Sequence, residues 1–493
     1  MTELSVGLDL GSTNVKAVVV DPEARVLGVA RRPTPTRADA GGTVHPFADL
    51  LQAAEAVVRD AAAQAGRDDI AAVGIASVAE AGVPVGPDGA PLDDVLAWFD
   101  PRPAAQARRL AEAAGDRELF ARTGLRPEPK VTLAKLAWLR DERPRVFARM
   151  TEWRFVADAV AGAWTGGRGT SATLACRSMA WNLRRGAWDD ELLSLVGLRA
   201  EQMPPVLPWR APLGRLTTEV GARLGLRAGI PLAVAGHDHV VGALAAGVVA
   251  PADLLDSIGT AEALLLVTAE PALDDVTRSA GFSVGTHVLD DRATLIAGIQ
   301  TSGAFVDWFL TALAGVPADA ADGVRYERLA SLVAAASRRP SGVIAVPTLR
   351  GRTAPLPDPS ATGSFAGLTA ADGLPELALA ALEGTAFHAR WLVDELTRLS
   401  GIRPRRVRTI GGGSRNDTLL RIKAALSAAP LEVVDEPETV AVGAALVAAV
   451  AAGIAPEGVV LERSPAIRAI EARGADRAAY GEAYAAFRRA VRA

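Results

Sequence analysis

The stretch at residues 6–21 carries the groups that hold a polyphosphate. Its sequence, VGLDLGSTNVKAVVVD, places a carboxylate, a flexible glycine, two hydroxyls and an ammonium around one turn, at Asp9, Gly11, Ser12, Thr13 and Lys16. Backbone N–H groups, hydroxyls and a cation bind phosphate oxygens, and a carboxylate can face a magnesium ion. The GxxxxGK[ST] spacing of a Walker A loop is missing. An ordinary exposed hairpin with a polar turn remains the alternative for this stretch alone.

A second stretch of similar chemistry lies at residues 254–266, LLDSIGTAEALLL. An apolar run again meets a turn with an aspartate, a glycine and a threonine, here Asp256, Gly259 and Thr260, and an apolar run again follows. Two phosphate-type hairpins, one in each half of the chain, predict a duplicated architecture that closes on one nucleotide.

Asp238 is the candidate catalytic base. It follows the apolar run IPLAVA and lies between His237 and His239, where a small-residue helix begins. Phosphoryl transfer to a hydroxyl needs a carboxylate within hydrogen-bond reach of that hydroxyl. The alternative is an aspartate that only caps the helix. Adjacent histidines point in divergent directions, which disfavours a zinc site.

A glycine turn at residues 411–416, GGGSRN, separates a predicted strand from a predicted helix. Gly411, Gly412 and Gly413 allow the chain to pass flat against a ring or a phosphate at a helix N-terminus. A tight turn that needs glycine for structural reasons is the alternative. The GxGxxG fingerprint is absent, and a nicotinamide oxidoreductase would explain neither Asp-Gly-Thr hairpin.

The elements that position these groups are predicted by hydrophobic periodicity. The β-branched runs around the first turn predict a β-hairpin, and residues 70–76 and 406–410 read as buried strands. Residues 47–65 and 374–400 have helical spacing. Residues 43–46 are predicted as a loop, and residues 348–367 as an irregular loop rich in Pro and Gly.

Composition bounds the class of protein. The chain has 493 residues, with 49% hydrophobic and 22% charged residues, a net charge of −4 and one cysteine, Cys176. Two domains are expected from this length, residues 1–249 and 250–493, because a single core rarely grows so large. One cysteine excludes an intramolecular disulfide and a cysteine-based metal site. No basic block suggests a nucleic-acid partner, and the lack of a signal peptide or a spanning segment predicts a cytoplasmic protein without a membrane partner.

Taken in order, the motifs resemble those of the FGGY carbohydrate kinases, of the actin/hexokinase/Hsp70 superfamily. The similarity runs from about residue 4 to residue 453 and includes, besides the stretches above, IASVAEAG, AWFDPR and VAGHDHVVGALAAG. It implies an α/β fold of two ribonuclease H-like (actin-like ATPase) domains with a cleft between them. It also implies an enzyme that uses ATP and Mg²⁺.

The resemblance assigns roles to individual residues. Asp238 falls on the catalytic base, and Asp9 and Asp238 fall on the metal site. The ATP-binding positions are Gly11, Ser12, Thr13, Lys16, Gly259, Thr260, Gly303, Asp307, Gly412, Gly413 and Asn416. The substrate-binding positions are Glu80, Trp98, Asp100 and His239.

The substrate signature departs from both known subgroups. Xylulokinase-type members carry Met-His where this chain has Glu80-Ala81, and glycerol kinases carry Arg-Glu where it has Ala79-Glu80. The first expectation is phosphorylation of a ketopentose such as xylulose, a small molecule. The alternatives are a polyol kinase of glycerol or tetritol type, or a non-catalytic nucleotide-gated sugar sensor. The oligomeric state stays open between a monomer and a homodimer.

Overall fold

A computed structural model describes residues 3–66 and 69–491. The strands of this part of the chain are β1 (Leu4–Leu10), β2 (Asn14–Val20), β3 (Val26–Pro33), β4 (Arg37–Asp39), β5 (Gly42–His45), β6 (Ile70–Ser77), β7 (Gly82–Val85), β8 (Val95–Leu96), β9 (Glu152–Phe155), β10 (Thr170–Ser171), β11 (Trp181–Asn182), β12 (Ala187–Trp188), β13 (Val206–Leu207), β14 (Gly214–Arg215), β15 (Pro231–His237), β16 (Asp253–Ile258), β17 (Glu262–Thr268), β18 (Ser283–Thr286), β19 (Ala293–Ile299), β20 (Ile344–Val346), β21 (Ser364–Ala366), β22 (Arg406–Ile410), β23 (Leu431–Val434) and β24 (Ile467–Ile470).

The helices of the same residues are α1 (Phe47–Ala65), α2 (Ala104–Ala114), α3 (Asp116–Thr123), α4 (Thr132–Glu142), α5 (Pro144–Arg149), α6 (Val156–Thr165), α7 (Ala172–Ala175), α8 (Asp190–Ser194), α9 (Thr218–Leu224), α10 (Asp238–Ala245), α11 (Asp275–Ser279), α12 (Gly303–Ala312), α13 (Asp322–Ala335), α14 (Leu374–Ser400), α15 (Asp417–Leu426), α16 (Thr439–Ala451), α17 (Gly458–Leu461) and α18 (Gly474–Ala490), with short 3₁₀ helices at Ala200–Gln202 and Gly412–Arg415.

Two large mixed sheets have the same internal plan. The first has the strand order β14-β15-β6-β1-β2-β3, and the second has the order β18-β19-β17-β16-β22-β23-β24. In each, an antiparallel meander (β1-β2-β3, or β16-β17-β19) continues into parallel strands (β1-β6-β15, or β16-β22-β23). The duplicated α/β architecture predicted from the two hairpins is therefore confirmed.

Helix α16 covers one face of the first sheet, although it belongs to the second half of the chain. It approaches β1 and β6 at Gly7 and Gly74, which lie opposite each other in register. A Cβ atom at Gly7 would lie 1.8 Å from the Ala441 carbonyl oxygen, and one at Gly74 would lie 1.9 Å from that of Ala444. Helix and sheet backbones can therefore come this close only because both strand positions lack a side chain.

Most predicted elements are confirmed, and two loop predictions are wrong in part. The hairpins, the helices at 47–65 and 374–400 and the strand at 406–410 are present with those bounds or close to them. Of residues 43–46, predicted as a loop, the first three belong to strand β5 (Gly42–His45), because pairing with β4 and with the distant β8 supplies hydrogen bonds to them. The predicted loop at 348–367 contains β21, which pairs with β20.

Within the described residues, no helix is both long and apolar enough to cross a membrane. The division at residues 249 and 250 stays a prediction.

Candidate active site

Three parallel strands deliver the candidate catalytic groups to one edge of the first sheet. Asp9 on β1 lies opposite Ala76 on β6, and His237 at the end of β15 lies opposite Ser77 at the end of β6. The residues that follow these strands therefore gather at their carboxyl ends, where open α/β sheets bind ligands.

Asp238 is the first residue of α10, and only one of its carboxylate oxygens contacts the neighbouring residues of the described chain. Asp238 Oδ1 accepts a hydrogen bond from the His239 N–H at 2.6 Å and lies 3.2 Å from His237 Nε2. Within the described residues, Oδ2 receives no hydrogen bond. An N-cap side chain bonds to an N–H two or three residues further on, so the contact with His239 is not that of a cap. Burial raises the pKa of Asp238, and His239 opposes that shift.

The backbone before Asp238 is shaped by Gly236, which has a φ of 123°. A Cβ atom there would lie 2.0 Å from Thr173 Oγ1. The same hydroxyl accepts the His237 N–H at 2.9 Å. The glycine and the threonine thus fix the direction in which β15 turns into α10 and points Asp238.

Asp9 offers an uncompensated carboxylate oxygen beside Asp238. Its Oδ1 is buried and has no hydrogen-bond donor among the residues described. Burial and the neighbouring Asp238 raise the pKa of Asp9 to about 8. An orphaned carboxylate oxygen next to a second carboxylate fits Mg²⁺, which is held by one or two carboxylates together with phosphate oxygens and water. In the ranges 3–66 and 69–491, no group of three or more His, Cys, Asp or Glu side chains could hold a metal by itself.

The first phosphate-type turn is tight, and its hydroxyls are accessible. The Gly11 N–H donates to the Asn14 carbonyl at 3.2 Å, and Ser12 and Thr13 lie at the apex, half-buried and exposed. Lys16 pairs with Glu438 at 2.8 Å. Glu438 immediately precedes α16, so this ion pair links the first turn to the second half of the chain.

The predicted substrate residues Glu80 and Trp98 are tied together by a buried lysine. Lys135 Nζ donates to the carbonyls of Glu80, Ala97 and Trp98 at 3.1, 3.0 and 3.4 Å. Burial lowers the pKa of Lys135 to about 7, and the carboxylates of Glu80 and Asp100 oppose that shift. One ammonium therefore fixes both segments relative to each other.

Glu80 itself is strained and paired. Its φ is 61°, a left-handed conformation that is uncommon outside glycine and that clusters at functional sites. Its Oε1 accepts from Arg177 Nε at 2.9 Å and from Arg177 Nη2 at 2.7 Å. Neither Lys135 nor Arg177 was predicted as a site residue. The sequence does carry a signal for both: each is the one cation in a run of small and apolar residues, VTLAKLAWL and SATLACRSMA. A lysine or arginine in such a run is buried only when it has a polar or charged partner, so each of these cations indicates a buried polar contact.

Asp100 is already fully engaged. Its side chain is buried and accepts from Arg102 and from the Thr43 N–H at 2.8 Å. Burial acts to raise the pKa of Asp100, but these donors outweigh burial and lower it. Its contact with substrate stays a prediction. In the structure, Asp100 binds Arg102 and the backbone of β5.

The second phosphate-type turn is joined to the N-terminus of α12. The Gly303 N–H donates to the Gly259 carbonyl at 3.2 Å, and the Ala304 N–H donates to the Thr260 carbonyl at 3.0 Å. A Cβ atom at Gly303 would lie 2.5 Å from the Gly259 oxygen. The predicted residues Gly259, Thr260 and Gly303 therefore form one unit.

A buried charge cluster lies under this unit. Lys423 Nζ on α15 contacts Asp256 Oδ2 at 2.6 Å and Glu262 Oε1 at 2.7 Å. Glu262 Oε2 accepts the Ser302 hydroxyl at 2.6 Å, and Ser302 directly precedes α12. The cluster connects the turn, α12 and α15, and it was not predicted beyond Asp256.

The glycine turn lies against the second hairpin. Gly411 has a φ of 90°, and Cβ atoms at Gly411 and Gly413 would lie 2.5 Å and 2.2 Å from atoms of Ile258. Nothing lies within 4 Å of a Cβ atom at Gly412, whose carbonyl accepts the Tyr326 hydroxyl at 2.9 Å. The open face at Gly412 fits the flat approach of a nucleotide base. Tyr326, on a helix that was not predicted, is the further residue at this face.

Two predicted ATP-binding residues have structural partners. Asn416 Oδ1 accepts the Leu419 N–H at 3.0 Å and so caps α15. Asp307 is exposed and pairs with Arg325 at 3.3 Å. Their contact with nucleotide stays a prediction.

The comparisons with known proteins agree over nearly the whole chain. Residues 4–245 match the profile described as the FGGY family of carbohydrate kinases, N-terminal domain, and residues 254–452 match that of the C-terminal domain. A glycerol kinase from Cereibacter sphaeroides (strain ATCC 17025) is 30% identical over 468 residues, and the alignment covers 91% of this chain and 90% of that kinase. A glycerol kinase from Bordetella parapertussis is 29% identical, with 92% and 89% covered.

Solved structures have the same fold. The xylulose kinase from Rhodospirillum rubrum has a TM-score of 0.88 at 26% identity, with 98% of this chain and 97% of that chain covered. A structure described as a xyloylose kinase from Brucella ovis has a TM-score of 0.89 at 24% identity, with 99% and 98% covered.

Proposed function

Because the chain belongs to the FGGY family of carbohydrate kinases, an alcohol-accepting class of phosphotransferase, we propose that it transfers the γ-phosphoryl group of ATP to a hydroxyl of a small neutral sugar or polyol. Asp238 is the proposed base. The observation that carries this proposal is the carboxylate of Asp238, which is held through Oδ1 at the carboxyl end of β15 while Oδ2 receives no donor within the described chain.

The proposed step needs one proton acceptor and several charge-stabilising groups. Asp238 Oδ2 takes the proton of the acceptor hydroxyl as its oxygen attacks the γ-phosphorus and ADP leaves. Thr13, Lys16, Thr260 and the N-terminus of α12 stabilise the charge on the phosphate oxygens. Lys16 must exchange its partner Glu438 for phosphate when the nucleotide binds.

Asp9, with Asp238 beside it, would hold Mg²⁺, since Asp9 Oδ1 is buried without a donor among the described residues. When bound, the ion would neutralise negative charge on the phosphate groups.

The first proposed acceptor is a ketopentose such as D-xylulose, and the second is a polyol such as glycerol or a tetritol. Similarity to the xylulose kinase structure from Rhodospirillum rubrum supports the first. Similarity to glycerol kinases over nine-tenths of the chain, together with a glutamate at position 80, supports the second.

A coupled ADP-release assay over pentuloses, hexuloses, tetritols and glycerol tests the proposal. We expect ADP release that depends on one of these acceptors, and a fall in kcat of about 100- to 10,000-fold in Asp238→Asn. Asp60→Asn, which changes an exposed aspartate paired with Arg32, is the matched control and should leave turnover unchanged. A nucleotide-gated sensor would bind ATP and sugar without acceptor-dependent ADP release. Wild-type turnover in Asp238→Asn would contradict the assignment of the base.

A further inference from the structure

Arg177 and Glu80 form a buried ion pair beside the proposed base. Each residue is 6% exposed, and 97 positions of sequence separate them. Both donors, Nε and Nη2, converge on the same oxygen, Glu80 Oε1. This geometry differs from a fork-on-fork pair, in which the two nitrogens take one oxygen each.

The pair leaves one donor and one acceptor unused. Arg177 Nη1 is buried and has no hydrogen-bond partner in the part of the chain that the structure describes. Glu80 Oε2 receives no donor there either. A buried N–H of a charged group is costly to leave unpaired, so an oxygen atom from outside the protein is the natural partner of Nη1.

The position of the pair favours the acceptor substrate as that outside molecule. Glu80 follows the carboxyl end of β6, whose last residue Ser77 lies opposite His237 in register, and Thr173, four residues before Arg177, accepts the His237 N–H at 2.9 Å. The Glu80 backbone is held in its left-handed conformation by Lys135 Nζ and Thr132 Oγ1, at 3.1 and 3.2 Å from its carbonyl oxygen. The side-chain carboxylate is therefore presented from a fixed point near the base.

The charges of the site select the chemical class of substrate. The guanidinium of Arg177 is compensated by Glu80, and Asp238 adds a carboxylate that forms no ion pair with a lysine or arginine of the described chain. A sugar acid would bring its carboxylate towards two others, whereas hydroxyl and keto oxygens can accept from Nη1, and hydroxyls can donate to Oε2.

We propose that Arg177 and Glu80 together bind two neighbouring oxygen atoms of a neutral polyhydroxy acceptor and select against sugar acids. This rests on the proposed kinase function. Arg177 would donate through Nη1 to one oxygen, and Glu80 Oε2 would accept from the hydroxyl beside it. Glu80 was expected to contact substrate, and Arg177 becomes a second specificity-determining residue at the same site.

Acceptor and nucleotide kinetics of four variants test the proposal. The panel is D-xylulose, erythritol, glycerol and gluconate, with monodeoxy analogues of the best acceptor. Arg177→Met and Arg177→Lys alter the donor, and Glu80→Gln alters the charge. Arg154→Met removes a different, largely buried Arg–Glu pair of the same half of the chain, formed with Glu152 at 3.0 Å, and serves as the control.

We expect Arg177→Met to lower kcat/KM for the best acceptor about 10- to 100-fold while KM for ATP changes less than 2-fold, because a hydrogen bond from a charged donor is lost. Arg177→Lys should show a smaller loss, and Arg154→Met none. The wild type should use at least one monodeoxy analogue less well than the parent acceptor. For that analogue, Arg177→Met should show no such difference. Glu80→Gln, with an uncompensated guanidinium, should raise the preference for gluconate over the neutral acceptor at least 10-fold.

Equal changes in both KM values, or retained discrimination against every deoxy analogue in Arg177→Met, would reduce Arg177 to a structural role. A wild-type preference for gluconate would overturn the charge argument while leaving the kinase function intact. No acceptor-dependent ADP release at all would overturn the kinase function and this proposal with it. If Arg177→Met does not fold, Arg177→Lys is judged by the same KM values and deoxy analogues, and Glu80→Gln by its preference for gluconate.

Discussion

Lys423→Met should be among the most destabilising single changes in the second half of the chain. Lys423, Asp256 and Glu262 have side chains 5%, 4% and 0% exposed, and the one ammonium contacts both carboxylates. Methionine keeps the length of the side chain and removes the charge. Removing one partner of a buried ion pair typically costs about 3–5 kcal/mol, because the remaining charge has neither water nor a counter-ion.

The size of the loss should depend on pH. Burial raises the pKa of Asp256 to about 7 even though Lys423 opposes that shift, so without the lysine this carboxyl keeps its proton to a higher pH than in the wild type. A carboxyl whose pKa is raised on folding stabilises the protein at low pH, and this contribution is lost as pH rises through the folded-state pKa. We therefore expect a smaller loss at pH 6 and a larger loss, approaching about 3–5 kcal/mol, at pH 8.

Urea unfolding followed by tryptophan fluorescence at pH 6 and pH 8 measures both quantities, and the chain has nine tryptophans. Glu262→Gln introduced together with Lys423→Met should recover part of the loss, because one buried charge is then absent. The control is Lys130→Met, because Lys130 and its partner Glu128 are both half-exposed. This variant should lose less than about 1 kcal/mol in the free energy of unfolding. A loss below 1 kcal/mol at pH 8, or one that does not change with pH, would refute the reasoning.

Two further predictions concern packing and acid stability. Gly74→Ala should lower the free energy of unfolding by about 1–3 kcal/mol or more, because its Cβ would overlap the Ala444 carbonyl. The control is Gly323→Ala, whose added Cβ would have no atom within 4 Å. Equal melting temperatures of the two variants would contradict this prediction. Burial lowers the pKa of His287 to about 4, so stability should fall as pH drops below 6.5, by about 2 kcal/mol at pH 5 from this residue alone. His287→Asn should show a smaller loss between pH 7.5 and pH 5 in urea unfolding, and an unchanged loss would show that His287 is not the titrating group.

The parts of the fold predicted from the sequence are those in which local pattern and tertiary structure agree. The β-branched runs flanking Gly11 and the apolar runs flanking Gly259 form hairpins as predicted, and the helices that begin at Phe47 and Leu374 follow their apolar spacing. Strand β5 is different, because it is held between β4, which precedes it across a tight turn, and β8, which is distant in sequence. Local pattern carries no information on a partner as distant as β8.

The same limit applies to the site. Asp238 is proposed as the base because a single carboxylate follows a buried strand, which is a local signal. Arg177 lies 97 residues from Glu80, and only the fold shows that the two meet. The interpretation of Ala79 as a missing arginine was therefore incomplete, since a guanidinium reaches Glu80 from another segment of the chain.

The contact of α16 with the glycines of β1 and β6 has a consequence for how the chain can be divided. A protein cut after residue 249 would leave the face of the first sheet around Gly7 and Gly74 open to water and would deprive Lys16 of Glu438. The N-terminal portion is thus an incomplete folding unit, finished only when a segment made late in synthesis returns to it. Sequence halves and folding units do not coincide in this molecule.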